Sequence, residues 1–194
     1  MKTYKIVVAG PFNAGKTTLI RTLCGKILET DRRIYFGEGV VKDFTTVALD
    51  FGLFKLTEGI LVRLFGTPGQ KRFAFMWDIL SVGMHGYIVM VDGADPSSFK
   101  EAKLIYDYFL DTFPYTPHIL AVNKADLPGF VGVEEVKRLI KPHPSAPVIP
   151  IVSKDRESAL NLMRMMIRIV EETYTKRPGY PGVDVMGELE NEYR

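Results

Sequence analysis

The sequence is poor in the features that would place a protein outside a reducing aqueous compartment. It has one cysteine, Cys24, in 194 residues, which excludes an internal disulfide and a metal site built from cysteines. No apolar run approaches the roughly 18–20 residues that span a bilayer, and the run at residues 6–9 is too short for a signal peptide. Position 2 is Lys2, whereas N-myristoylation requires a glycine there, and no C-terminal cysteine is available for prenylation. The sequence therefore predicts a cytoplasmic protein without a direct membrane anchor.

An excess of charge of one sign is also absent. Lysine and arginine total 25 against 23 aspartate and glutamate, a net charge of +2, which argues against a nucleic acid as the partner. The three histidines are dispersed and lack metal-ligand spacing. The length suits one domain of ordinary size. We expect that domain over residues 1–175 and a tail over residues 176–194, because the tail begins with repeated helix-breaking proline and glycine.

The hydrophobic pattern alternates between two periods. Short apolar runs predict buried strands, and segments of helical periodicity lie between them. The predicted strands are residues 5–9, 47–56, 60–65, 87–91, 118–122 and 148–152, and the predicted helices are residues 16–23, 97–113, 134–140 and 155–174. This alternation predicts an α/β fold with a six-stranded, mostly parallel sheet and helices on both faces. Only residues 57–59 separate two of the strands, which therefore form an antiparallel hairpin at the sheet edge.

A phosphate-binding loop stands between the first strand and the first helix. The segment from Gly10 to Thr17 satisfies G-x-x-x-x-G-K-[ST], the signature of the P-loop NTPase fold. Its glycines let backbone N–H groups and the positive end of the helix face phosphates. Lys16 would reach the β- and γ-phosphates, and the Thr17 hydroxyl would bind Mg²⁺. Kinases, ATPases and GTPases share this loop.

A second motif, Asn123-Lys124-Ala125-Asp126, directly follows a predicted strand. A carboxylate at Asp126 can accept hydrogen bonds from the N1–H and the exocyclic amine of guanine. Adenine has no donor at N1 and would leave that acceptor unpaired. The motif favours GTP over ATP, and an ATP-dependent kinase is the alternative that an adenine preference would establish.

These two motifs together resemble the Ras-like small GTPases, and most closely the prokaryotic group of the MglA type and the Arf-like group. The resemblance covers about residues 3–174. Val152-Ser153-Lys154 stands where the family has S-A-K, with Val152 departing from the pattern. The resemblance implies a switch that binds GTP or GDP with Mg²⁺. The residues expected to bind the nucleotide are Asn13, Ala14, Gly15, Lys16, Thr17, Thr18, Asn123, Lys124, Asp126, Ser153 and Lys154.

The resemblance extends to the two switch segments. It implies that Thr46, or the adjacent Thr45, senses Mg²⁺ and the γ-phosphate. Residues 66–70 resemble D-T-A-G-Q, so that the Gly69 N–H would sense the γ-phosphate and Gln70 would orient the attacking water, with Lys16 as the second catalytic residue. The aspartate of that motif is missing, because Gly66 occupies its position.

Asp50 offers a replacement for the missing aspartate. If residues 57–59 form a three-residue loop, Asp50 pairs with Gly66 across the hairpin, at a Cα separation of ~4.5–5.5 Å. Its carboxylate could then enter the metal's surroundings, which makes Thr17, Thr46 and Asp50 the predicted metal-binding set. A two-residue loop would instead set Asp50 against Thr67. The alternative role is a residue on a solvated strand face.

Hydrolysis is expected to be slow. Phe12 is bulky where many family members have glycine, beside the path of an arginine finger from an activating partner. Arg32, Arg33 and Arg72 are candidate fingers within the chain. The alternative is a nucleotide-binding scaffold with negligible turnover. The resemblance also implies regulatory and effector proteins, including a roadblock-type regulator, and residues 73–77 are expected to pack one face of a helix after the second switch.

Overall fold

The computed structural model describes residues 1–25, 28–32, 47–69 and 74–175. Within these ranges the chain forms one sheet of seven strands in the order β2-β3-β4-β1-β5-β6-β7, with five α-helices. The strands are β1 Lys2–Ala9, β2 Leu28–Arg32, β3 Val47–Thr57, β4 Ile60–Gly66, β5 Gly86–Asp92, β6 His118–Asn123 and β7 Val148–Pro150. The helices are α1 Lys16–Cys24, α2 Phe75–Ser81, α3 Phe99–Thr112, α4 Val133–Ile140 and α5 Arg156–Thr175.

The strand pairing confirms the predicted fold class. β1 pairs in parallel with β4 and β5, and the parallel arrangement continues through β6 to β7. β3 and β4 form the predicted antiparallel hairpin. β2 adds a seventh strand to the six predicted, antiparallel to β3 at the sheet edge. Its sequence, Leu-Glu-Thr-Asp-Arg, has no apolar alternation that would have predicted a strand.

Helices cover both faces of the sheet. α1 and α5 pack against one face, where Leu19, Ile20 and Met163 are buried with the inward residues of β1 and β4. α2, α3 and α4 pack against the other, around Tyr106 and Phe109. β5 and β6 are buried along their whole length, as expected for central parallel strands covered on both sides. No helix in the described ranges is long and apolar enough to cross a bilayer.

The β3–β4 hairpin has the register that was predicted, but not the loop. Asp50 pairs with Gly66, and the same register continues to Lys55 with Leu61. The next pair is Thr57 with Ile60, so β3 continues to Thr57 and the turn contains two residues. A bulge between Lys55 and Thr57 compensates for the shorter turn. Asp50 therefore lies opposite Gly66 despite the two-residue turn, which by itself would have shifted it to Thr67.

α2 packs one face against the domain, in agreement with the aromatic spacing. Met76 and Trp77 are buried, whereas Phe75 is 41% and Ile79 61% exposed. The exposed side chains belong to the helix after the second switch segment. Phe73, part of the same prediction, lies outside the described residues.

Two buried histidines predict a loss of stability at acid pH. Burial lowers the pKa of His85 and of His118, which stacks on Tyr87 with ring centroids 4.7 Å apart. The unfolded chain is protonated first, so the stabilisation is complete above about pH 6.5 and is lost as the pH falls through the lower folded values. We expect the free energy of unfolding to decrease from pH 7 to 5, by about 1.4 kcal/mol for each unit by which a pKa is lowered. Urea titrations of the wild type and His118→Gln measure this, and equal pH slopes in the two proteins would contradict it.

Candidate functional site

The carboxyl ends of the parallel strands meet at one edge of the sheet, and the motif residues follow them directly. Gly10 comes after β1, Gly66 ends β4, Asp92 ends β5 and Asn123 ends β6. Ligand sites of open α/β sheets lie at this edge. The topology thus brings together two sequence motifs that are more than 100 residues apart.

The loop from Gly10 to Lys16 has the left-handed turns that its sequence permits. Gly10 has a φ of 145°, Asn13 of 64° and Gly15 of 100°. Asparagine tolerates the left-handed region better than most side chains. A Cβ on Gly15 would also collide with the Asn123 amide. α1 then begins at Lys16, so that its N-terminal N–H groups and positive dipole end face the cavity beside the loop.

Lys16 is the cationic group of this cavity. Its side chain is almost fully buried, and its ammonium donates to the Gly10 carbonyl at 2.8 Å and the Pro11 carbonyl at 2.7 Å. Burial lowers the pKa of Lys16 to about 8, while the negative charges of Asp50 and Glu101 act in the opposite direction. A cation held in this way is strongly stabilised by an entering anion.

The cavity around Lys16, called the Lys16 cavity below, has a volume of about 330 Å³. Its lining comes from the phosphate loop, from β3 and from the segment after β4: Phe12, Asn13, Gly15, Lys16, Thr17, Thr18, Asp50, Gly66, Thr67, Pro68 and Gly69. Phe12 is 73% exposed at its rim. The cavity therefore joins the phosphate loop to the described part of the second switch segment.

Asp50 extends over the position where Gly66 lacks a side chain. A Cβ on Gly66 would lie 2.9 Å from the Asp50 Cβ and 3.3 Å from its Oδ2. The same Oδ2 accepts a hydrogen bond from the Thr17 hydroxyl. Thr67 also lines the cavity, and its buried hydroxyl has no hydrogen-bond partner among the described residues. Two oxygen-bearing side chains, Thr17 and Asp50, thus meet beside Gly66.

A second cavity, called the Asp126 cavity, adjoins the first and has a volume of about 240 Å³. The two share Asn13, Gly15 and Thr18. The remaining lining is Asn123, Lys124, Asp126, Leu127, Val152, Ser153 and Lys154. The structure thus brings most of the predicted nucleotide-binding residues to two adjoining cavities.

Asn123 ties the loops of this cavity together. Its amide donates to the Ala14 carbonyl at 2.9 Å and to the Ser153 hydroxyl at 3.0 Å, and its carbonyl accepts from the Ser153 N–H at 2.9 Å. Asn123 is 1% exposed, and Ala14 is fully buried. Asn123 thereby links Ala14 of the phosphate loop to Ser153 in the loop after β7.

Asp126 presents its carboxylate at the cavity and pairs with Lys154. Their side chains are 2.6 Å apart and remain 30% and 67% exposed, respectively. The hydrogen bond from Lys154 keeps the pKa of Asp126 below its usual value. Asp126 is therefore an ionised acceptor near neutral pH.

Asp92 also belongs to this site, although it lies outside both sequence motifs. Its carboxylate pairs with the Lys124 ammonium and also accepts from the Ala94 N–H at 3.1 Å. Asp92 is 2% exposed and lies in register with Asn123 on the neighbouring strand. It thereby orients Lys124, whose backbone is left-handed. An acidic residue at the end of a wholly apolar strand was the available signal.

Thr46 and Gln70, the predicted metal sensor and water-orienting residue, lie outside the described residues, as do Arg33 and Arg72. Arg32 lies in β2, but its side chain is not among those described. The structure places Gly69 against the phosphate loop, where an added Cβ would lie 2.5 Å from the Phe12 nitrogen.

Comparisons with known proteins agree with this architecture. A family model described as "Conserved hypothetical ATP binding protein" matches residues 40–178. The Rheb homolog of Drosophila melanogaster, a GTP-binding protein, is 28% identical over 119 residues, covering 59% of this chain and 65% of the relative. The chain belongs to the family of that model, which covers more than half of it, and to the Ras-like superfamily of small GTPases.

Other relatives of this Ras-like chain include an uncharacterized protein of Methanocaldococcus jannaschii. It is 31% identical over 138 residues, which cover 71% of this chain and 80% of the relative. The fold is that of the Arl6 small GTPase of Trypanosoma brucei, solved with the nucleotide analogue GppNp. That structure has a TM-score of 0.67 and 16% identity, over 88% of this chain and 99% of its own.

Proposed function

We propose that this Ras-like protein is a guanine-nucleotide switch, which binds GTP and GDP with Mg²⁺ and hydrolyses GTP slowly. The observation that carries the proposal is that the two cavities adjoin each other. Lys16 lies in one and the ionised Asp126 in the other, joined through Asn13, Gly15 and Thr18. A nucleoside polyphosphate has this distribution of groups, with anionic phosphates at one end and a base at the other.

Asp126 supports guanine rather than adenine as the base. The matched family description names ATP, and its residue range includes the 123–126 motif, so the chemistry of Asp126 is the observation that decides between the bases. A carboxylate acceptor pairs with the two donors on the guanine edge and has no matching donor at adenine N1. Mass analysis of the nucleotide released from the purified protein tests this directly. A guanine nucleotide supports the proposal, and an adenine nucleotide would favour the ATP-dependent kinase.

The residues around Gly66 suit Mg²⁺. Mg²⁺ in phosphoryl-transfer sites is held by one or two side-chain oxygens, nucleotide phosphates and water. Thr17 and Asp50 supply such oxygens, and both line the Lys16 cavity. Thr17, Asp50 and Thr46 would hold the ion. When bound, Mg²⁺ neutralises charge on the β- and γ-phosphates.

The switching part of the proposal assigns the γ-phosphate to Gly69 and Thr46. Gly69 lines the Lys16 cavity and lies in the segment between β4 and α2. A change in its position on contact with a γ-phosphate would therefore be passed along the chain to α2. The exposed Phe75 and Ile79 on α2 supply a surface that regulatory and effector proteins could read, a roadblock-type regulator among them. We propose residues 1–175 as the switch domain and residues 176–194 as its tail, in a cytoplasmic protein.

The proposed hydrolysis needs Gln70 to orient water and Lys16 to stabilise the charge on the transferring phosphoryl group. Phe12 is exposed at the rim of the Lys16 cavity, where its bulk would obstruct an arginine from a partner. Arginine fingers contribute about 10³–10⁵-fold to turnover where they are used. Turnover without one is therefore slow.

Gln70→Leu distinguishes the slow enzyme from the nucleotide-binding scaffold. We expect single-turnover phosphate release to fall about 10-fold or more, because leucine cannot orient the attacking water, while the GDP affinity stays unchanged. Gln70→Glu keeps the length of the side chain and serves as a matched comparison. Equal, background-level rates in the wild type and Gln70→Leu would instead identify the scaffold.

A further inference from the structure

The chain's single tryptophan is hydrogen-bonded to the loop of the second switch segment. The indole N–H of Trp77 donates to the Pro68 carbonyl at 3.2 Å. Trp77 lies on α2 and Pro68 lines the Lys16 cavity. This bond therefore connects α2 to the end of the described segment 47–69. The mechanism described above makes no use of it.

Trp77 is held in place by α3 rather than by the loop. It is 5% exposed, and its ring centroid lies 4.9 Å from that of Tyr108 and 6.0 Å from that of Phe109. The neighbouring Asp78 accepts a second link to α3, from the Tyr108 hydroxyl at 2.5 Å. The indole donor therefore has a position determined by the packed core.

The Pro68 carbonyl and the Gly69 N–H belong to one peptide unit. That unit is planar and trans, so its C=O and N–H point in opposite directions. A donor that holds the carbonyl also sets the direction of the N–H. Gly69 lies beside the phosphate loop, where a Cβ would be 3.0 Å from the Lys16 ammonium. The oriented N–H thus belongs to a residue next to the cation that would contact the γ-phosphate.

We propose that Trp77 is a positioning residue, which holds the Pro68–Gly69 peptide so that the Gly69 N–H is directed at the γ-phosphate. The inference rests on the proposed guanine-nucleotide function. It assigns to a buried side chain on α2 the discrimination between GTP and GDP, since GDP has no γ-phosphate for the N–H to contact.

Trp77→Phe in the full chain tests the proposal, because it removes the donor and keeps an aromatic ring. With Mg²⁺ present, we expect the Kd of a non-hydrolysable GTP analogue to rise roughly 3–10-fold, as for the loss of one hydrogen bond, with the Kd of GDP unchanged. Leu104→Ala shortens an exposed side chain on α3 and keeps the indole donor and the aromatic contacts that hold it, so its ratio of the two affinities should equal that of the wild type.

A shape-conserving replacement keeps the test decisive if Trp77→Phe does not fold. Because the chain has one tryptophan, incorporation of 3-benzothienylalanine replaces the indole N–H with sulfur at that position alone. An unchanged ratio of GTP-analogue to GDP affinity in this protein, or an equal loss for both nucleotides, would overturn the proposal. Failure of the wild type to bind either nucleotide would instead refute the proposed function.

Discussion

Asp126→Asn should change the preferred base from guanine to xanthine. An asparagine can still accept from N1–H, but its amide N–H₂ then faces the exocyclic amine of guanine, and two donors oppose each other. Xanthine has a carbonyl at that position and accepts the new donor. We expect GDP affinity to fall roughly 10²–10³-fold and xanthosine diphosphate to bind more tightly than GDP. Competition titrations with the two diphosphates measure the reversal.

The same substitution breaks the ion pair between Asp126 and Lys154. That pair is solvent-exposed, so its loss should change the unfolding free energy little, and thermal unfolding is the check. Asp111→Asn, on the exposed end of α3, makes the same change in charge away from both cavities. Base preference should be unaltered in this control. A guanine preference retained by Asp126→Asn would remove Asp126 from the base site.

Asp50→Ala should weaken the dependence of nucleotide affinity on Mg²⁺. The Asp50 carboxylate accepts from Thr17 and lies over the position where the family carries its aspartate. Side chains that support metal ligands typically account for about 10–100-fold in metal affinity. We expect the Mg²⁺ concentration that half-saturates tight GDP binding to rise by about this factor, while binding without Mg²⁺ changes little. GDP titrations across a Mg²⁺ series measure both quantities.

A double substitution tests whether the position of the carboxylate is what matters. Gly66→Asp alone should be destabilising, because its Cβ would lie 2.9 Å from the Asp50 Cβ. Asp50→Gly with Gly66→Asp removes that contact and moves the carboxylate to the family position, leaving the end of Ile20 to adjust. Partial recovery of the Mg²⁺ dependence is expected. Mg²⁺ dependence that survives Asp50→Ala unchanged would leave Asp50 as an ordinary strand residue.

The predicted parts of the molecule are those whose signals are local. The loop from Gly10 to Thr17 needs particular residue types within eight consecutive positions, so this short segment is enough to predict its conformation. The central strands are buried on both faces and read as continuous apolar runs. β2 was not predicted, because Leu28–Arg32 has a mostly polar sequence. Its pairing with β3 stabilises this strand.

The Asp50–Gly66 pairing shows how a prediction can hold for a different reason. The expected three-residue loop is a two-residue turn, and the bulge after Lys55 restores the register. Bulges depend on the packing of the whole hairpin, so the local sequence did not reveal this one.

By itself, the sequence determined the glycine-rich loop at residues 10–17, the alternation of strands and helices and the absence of an aspartate at position 66, and it predicted Asp126 as the base acceptor. Each is a property of neighbouring residues or of a simple period. Only the tertiary structure decided that Asp92 holds Lys124, that Asp50 reaches Thr17 and that Trp77 donates to Pro68. The first two contacts join residues more than 30 positions apart, and all three depend on side-chain direction. Such contacts follow from how strands and helices pack, which no local pattern encodes.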